Sequence, residues 1–261
     1  VAVAGHTVRV VQPRCLDTVL DMYIAREADS GEHKDPYWCQ VWPCAQAMFR
    51  EVLAHPETVQ GQRVCDLGAG IGIAGLAALM AGAREVVFFD REPLALLSCL
   101  LTSIVNAHSF PHQLSVSPDL SHVHLPALDG SQVSLSEAIL ITEAASISAE
   151  VLDWSDGDYY GEKFDTVLAC DVLYDRSASS LLPRLLPNLL RQTSCASSDF
   201  PHVIVMDPTN RFPANREVFL QQMSNAVSLD KVPRLRFKNT KSTSIESDGA
   251  HMPVEIIHYS G

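Results

Sequence analysis

The segment RVCDLGAGIGIAGLAALM, Arg63 to Met80, constrains the fold more than any other stretch of the chain. A short apolar run ends at Asp66-Leu67, glycines follow at 68, 70, 72 and 75, and small apolar residues continue at helical spacing. Glycines so placed let the backbone turn tightly and approach a ligand, while the helix that follows offers N–H groups to it. The pattern predicts a strand over about Arg63 to Leu67, a turn, and a helix over about Ile71 to Met80. Such a unit opens an α/β sheet that gathers its ligand at the strand ends.

Downstream the rhythm repeats. REVVFFD (84–90) reads as the second strand, and EPLALLSCLLTSIVNA as a helix with Pro93 in its first turn. The third strand is ISAEVLDW (147–154), the fourth FDTVLACD (164–171) and the fifth HVIVMD (202–207), with helices over 178–190 and 215–227. Pro183 and Pro187 threaten the first of those helices. The tail reads as two strands, RLRFKN and MPVEIIHYS, joined by a long hairpin loop. Together these elements predict an α/β, Rossmann-like, doubly wound fold, with a mainly parallel seven-stranded sheet and an antiparallel C-terminal hairpin. The domain is expected over 35–261, with 109–146, rich in Ser, His, Pro and Asp, as an insertion before the third strand. Residues 1–34 form a strand-containing extension, with strand-like HTVRVVQ and a polar linker near Asp29 to Asp35.

Composition narrows the function. A formal charge of -12 argues against a protein that holds nucleic acid through phosphate contacts, which needs clustered Lys and Arg. No apolar run approaches the roughly 20 residues that span a bilayer, so no membrane segment is expected. The odd number of cysteines, 7, points to free thiols in a reducing compartment. The expected location is the cytoplasm, or a mitochondrion or plastid if a transit peptide has been removed ahead of this sequence.

The loop fits two ligands on paper. GIGIAG from Gly70 satisfies the dinucleotide pattern, and DLGAGIG from Asp66 satisfies the acidic pattern of methyl-donor sites. Asp90, at the end of the second strand, suits the ribose of either ligand. A carboxylate at Asp66 would repel a pyrophosphate but steady the cationic ammonium and sulfonium of S-adenosylmethionine, so the loop favours the methyl donor. Further chemistry-bearing residues recur at strand ends: Asp153 and Trp154 after the third, Asp171 and Tyr174 after the fourth. Trp42, just before a helix start at Pro43, reads either as core packing or as a flat lid on a ring-bearing ligand.

DPYWCQVWP, the glycine loop, LDW, DVLYD and MDPTNRFP, in this order, resemble the class I seven-strand methyltransferases. Within them the likeness is to the non-histone protein lysine methyltransferase group. That group includes the electron transfer flavoprotein β subunit lysine methyltransferases and the nicotinamide N-methylase-like proteins. The resemblance covers roughly Asp35 to Pro213. It implies that Trp42 lines the donor pocket, that Asp66, Gly68, Gly70 and Gly72 hold the donor's amino acid end, and that Asp90 holds its ribose. Asp153 and Trp154 would hold the adenine, and Asp171 and Tyr174 would face the acceptor. The 109–146 insertion departs from the compact members of the group.

The expected activity is transfer of a methyl group from S-adenosylmethionine to a lysine of a protein, by a monomer that needs neither metal nor nucleic acid. The alternatives are N-methylation of a small molecule and a non-catalytic donor-binding module, with a nicotinamide dehydrogenase as a third. His108, His112, His122 and His124 read as solvated surface histidines rather than a zinc set, and Cys39 and Cys44 as buried small hydrophobes. Arg211 and Arg216 with Asp207 read as an ion-paired cap after the fifth strand, at a position that borders the cleft and could touch substrate.

Overall fold

The computed structural model describes residues 2–3, 6–31, 35–111, 114–116, 124–126, 132–134, 145–192, 201–228, 235–247 and 250–260. A short hairpin, β1 (Ala2–Val3) and β2 (His6–Thr7), precedes α1 (Leu16–Ser30) and α2 (Pro43–Ala54). Then come β3 (Arg63–Leu67), α3 (Ile73–Met80), β4 (Glu85–Asp90) and α4 (Pro93–Asn106). Within the insertion, β5 (Leu114–Val116) precedes a separate antiparallel pair, β6 (His124–Pro126) and β7 (Gln132–Ser134). The rest is β8 (Ala145–Val151), β9 (Thr166–Cys170), α5 (Arg176–Leu189), β10 (His202–Pro208), α6 (Pro213–Ser228), β11 (Arg236–Ser247) and β12 (Ala250–Ser260).

The main sheet runs β11-β12-β10-β9-β3-β4-β8-β5, parallel from β10 to β5, with β12 antiparallel to both β10 and β11. It contains the expected seven strands plus the three-residue edge strand β5, which pairs with β8. Residues of the inner strands alternate between two cores, as a period of two requires. Val64, Val86, Phe88, Leu168 and Met206 face the side covered by α2, α3 and α4. Cys65, Val87, Phe89, Val167 and Val205 face α5 and α6. Burial on both faces explains why these strands read as continuous apolar runs. The chain winds outward through β3, β4 and β8, then returns to the other side of β3 at β9. The crevice beyond the carboxyl ends of β3 and β9 is therefore the topological switch point.

Several expectations change. The strand-like HTVRVVQ pairs only at His6–Thr7; beyond it the chain is tied to α4, with Arg9 N donating to Asn106 Oδ1 (3.0 Å) and Val11 N to Thr102 Oγ1 (3.1 Å). α1 has no counterpart in the sequence reading, because only Val19 and Tyr23 of its residues are fully buried, against Trp38, Cys39 and Ala95. The prolines do not break α5: burial of Leu182, Leu185, Leu186 and Leu189 offsets the lost backbone hydrogen bonds. The LDW motif lies beyond the end of β8, in a loop and a short 3-10 turn. The expected long hairpin loop is instead mostly strand, paired from Arg236↔Ser260 to Ser247↔Ala250. Among the described residues no helix is long and apolar enough to cross a membrane.

Gly75, inside α3, shows how closely helix and sheet approach. A Cβ there would lie 2.3 Å from Phe88 Cε1 on β4. Gly75→Ala should cost about 1–3 kcal/mol of stability through overpacking, measured as a lower midpoint in denaturant unfolding.

Candidate functional site

The turn from β3 to α3 uses three left-handed residues, Gly68 (φ 70), Gly70 (φ 55) and Gly72 (φ 82). A side chain at Gly68 would also strike Trp154 Cζ2 and Val172 Cγ1, both at 2.9 Å, and one at Gly72 would strike Cys99 at 2.9 Å. Gly68 and Gly70 border the crevice, whereas Gly72 is pressed against α4 and does not line it.

Two carboxylates hold this turn. Asp66 Oδ2 accepts from Gly75 N at 2.7 Å, in the first turn of α3. Asp90, on β4, accepts from Gly70 N through Oδ2 and from Glu92 N through Oδ1, each at 2.9 Å. Burial pushes Asp66 up to about 7, opposed by the Gly75 N–H and reinforced by the negative charge of Asp90. Asp90 is also raised, chiefly by burial.

This geometry separates the two ligands that fit the loop on paper. A pyrophosphate needs the loop and helix N–H groups for itself, but those of Gly70 and Gly75 are already given to carboxylates. The crevice walls carry Asp35, Asp66, Asp90, Glu92, Asp153, Asp171 and Asp175, against Arg91 among the described lining residues and Arg211, which reaches in to pair with Asp171. Carboxylates in this excess set a potential that favours a cation and disfavours a diphosphate.

All the site residues expected from the sequence except Gly72 line the same crevice: Trp42, Asp66, Gly68, Gly70, Asp90, Asp153, Trp154, Asp171 and Tyr174. Asp153 caps the turn that follows it, accepting from Ser155 N at 2.9 Å and Ser155 Oγ at 2.6 Å. Trp42 is half-buried, and its Nε1 donates to Tyr37 O at 2.8 Å. The Tyr37 ring meets Trp42 edge-on (6.1 Å) and Tyr174 edge-on (5.7 Å), joining the two into one rim.

Asp171, expected to face the acceptor, is already ion-paired. Its side chain is 7% exposed, its backbone is left-handed (φ 56), and Oδ1 is bonded to Arg211 Nη1 at 2.9 Å. Burial raises it, while Arg211 pulls it down. The expected pairing of both arginines with Asp207 is corrected accordingly: Arg216 bonds Asp207 (2.8 Å) and Glu255 (2.7 Å), whereas Arg211 goes to Asp171.

Several lining residues lay outside the set expected from the sequence. Tyr23, Tyr37, Trp38 and Glu92 all border the crevice. Trp38 Nε1 donates to Tyr23 Oη at 2.9 Å, and Tyr23 in turn faces the Glu92 carboxylate. Tyr37 and Trp38 stand inside the PYW motif and could have been chosen from it; Tyr23 lies on the unread α1. Cys39 and Cys44 are buried free thiols, with burial pushing Cys39 up to about 11. His108 is exposed, and His112 and His122 lie outside the described residues, as does the helical piece near 135–141.

The fold is α/β and Rossmann-like, a mainly parallel sheet with antiparallel strands near the C-terminus. The N-methyltransferase NodS from Bradyrhizobium japonicum WM9, solved in complex with S-adenosyl-L-homocysteine, has a similar fold. The TM-score is 0.53 at 12% identity, over 92% of this chain and 97% of that one. Residues 121–226 match the family model described as lysine methyltransferase, a stretch that contains LDW and DVLYD but not the glycine loop. The chain resembles the electron transfer flavoprotein beta subunit lysine methyltransferase of Homo sapiens, at 37% identity over 98 residues, 38% of this chain and 35% of that protein. It is 28% identical over 152 residues to ribosomal protein L11 methyltransferase of Stenotrophomonas maltophilia (strain K279a), 54% of this chain and 47% of that protein. The matched stretch spans about a third of the length of the first of these relatives.

The pH dependence of Asp66 follows from its burial. With a folded value near 7 against about 3.9 unfolded, protonation favours the folded chain. Its contribution is fully present below about 4 and is lost as pH rises through about 7. Asp66→Asn should flatten the fall of melting temperature between pH 5 and 8; an unchanged slope would contradict the assignment.

Proposed function

We propose that this chain is an S-adenosylmethionine-dependent N-methyltransferase that acts on a lysine of a protein. The observation that carries the reading is the crevice at the β3/β9 switch point, whose carboxylates occupy the N–H groups a diphosphate would need. The likeness to lysine methyltransferases supports the acceptor class.

Asp66, Gly68 and Gly70 would hold the amino acid end of the donor, and Asp90 its ribose. Asp153 and Trp154 would hold the adenine amine and ring, while Trp42 lines the same crevice with its ring against Arg211. When bound, S-adenosylmethionine supplies a methyl group already activated by its sulfonium. The protein's share is then position and charge rather than covalent chemistry. The acceptor amine must be neutral to attack, so the site has to attract an ammonium and let it shed a proton. Asp171 draws the cation by charge, Tyr174 shapes the channel beside it, and the proton leaves to water or a carboxylate.

The relatives' names make the electron transfer flavoprotein β subunit the first protein acceptor to test and ribosomal protein L11 the second. With radiolabelled donor, label should enter a protein lysine. Asp171→Asn should slow transfer by about tenfold or more, about 1.4 kcal/mol in the barrier, with donor affinity unchanged. Label entering only small amines would point to the small-molecule reading, and none anywhere to a binding module. Full activity of Asp171→Asn would remove that residue's role.

A further inference from the structure

Arg211 stands on the loop between β10 and α6 and bridges two walls of the crevice. Its Nη1 lies 2.9 Å from Asp171 Oδ1, and its guanidinium carbon lies 4.8 Å from the centre of the Trp42 ring. A buried carboxylate and an indole face around one cation make a site that recognises positive charge rather than this arginine in particular. The Phe212 ring lies beside the same guanidinium, its centre 5.7 Å from that carbon.

The two partners are unequally fixed. Asp171 is held by its left-handed backbone and by its N–H, which donates to Met206 O at 2.9 Å. Its Oδ2 is buried, with the Cys44 thiol and the Cys44 backbone N–H beside the carboxyl. A non-glycine residue in this conformation is uncommon and concentrates at functional sites. Arg211 is 31% exposed, on a long flexible side chain that water can solvate if it leaves. A second cation can therefore replace it without rebuilding the carboxylate or the ring.

We propose that Arg211 is a built-in stand-in for the acceptor's ammonium: it occupies the Asp171–Trp42 cation site until an incoming lysine side chain displaces it. This rests on the lysine reading above for the identity of the cation, but not for the existence of the site. Arg211 is then a gating residue that sets acceptor selectivity. A neutral or anionic side chain gains nothing by displacing it, whereas an alkylammonium recovers both the carboxylate and the ring.

n-Butylammonium serves as the probe, with n-butanol as its uncharged counterpart, titrated by calorimetry without donor. Arg211→Gln should bind n-butylammonium about tenfold more tightly than the unaltered chain, as expected when a competing ion pair and cation–π contact are both removed. n-Butanol should show no gain, and in a Trp42→Leu background, where only the ion pair competes, the gain should fall to about threefold. Equal or weaker binding to Arg211→Gln, or a gain that Trp42→Leu leaves undiminished, overturns the proposal. If Arg211→Gln does not fold, the unaltered chain decides: saturating n-butylammonium should shift the Arg211 side-chain NMR resonances, and no shift overturns it. Titration with S-adenosylhomocysteine separates this from the methyltransferase reading. A gain for n-butylammonium without donor-product binding keeps the cation site and removes the reading; binding of S-adenosylhomocysteine without the gain does the reverse.

Discussion

The hydrogen bond from Gly75 N to Asp66 Oδ2 is the interaction on which the rest of the site depends. It ties the end of β3 to the first turn of α3 across a loop whose own backbone lies in left-handed conformations. Asp90 repeats the device from β4, reaching Gly70 N. Asp66 is buried and Asp90 half-buried, and desolvation raises both. Negative charge held here carries an energetic cost, which a cationic ligand offsets. The same bonds satisfy the donors that would otherwise meet phosphate. One structural choice sets both the shape of the turn and the sign of the ligand.

The side of the crevice assigned to the acceptor in the proposed reading is built on a different principle. Asp171 is held by a strained backbone immediately after β9, and Trp42 by the start of α2, where Pro43 fixes the first turn. Tyr37 links the Trp42 and Tyr174 rings through edge-on contacts. These groups come from segments far apart in the chain, and the parallel sheet brings them to one end. The donor and acceptor halves share the crevice at β9, where Val172, next to Asp171, packs against Gly68. A transfer that needs position more than covalent chemistry is suited to this arrangement.

The parallel core was legible because its strands are buried on both faces and its helices carry a clear apolar side. β3 runs Arg63–Leu67, as its composition predicts, and α4 begins at Pro93. Nearly all the strand-end residues were legible too, since a carboxylate or an indole just past an apolar run has few structural reasons to be there. What escaped shares a cause: it depends on partners distant in sequence. α1 buries too little to show a period, yet it brings Tyr23 to the cleft. β11 is a polar edge strand, so its residues beyond Asn239 read as turn. Arg211 lies near Asp207 in sequence but bonds Asp171, 40 positions away, a choice that only the β9–β10 pairing makes visible. Gly72 fits the motif, but its place is against Cys99 rather than in the crevice.

The central claim is that the crevice selects a cationic sulfonium donor over a dinucleotide by charge. Calorimetric titration of one preparation with S-adenosylmethionine, S-adenosylhomocysteine and NADH tests it most directly. The account predicts saturable binding of both sulfur ligands and none of NADH. Tight binding of NADH with neither sulfur ligand bound would contradict it.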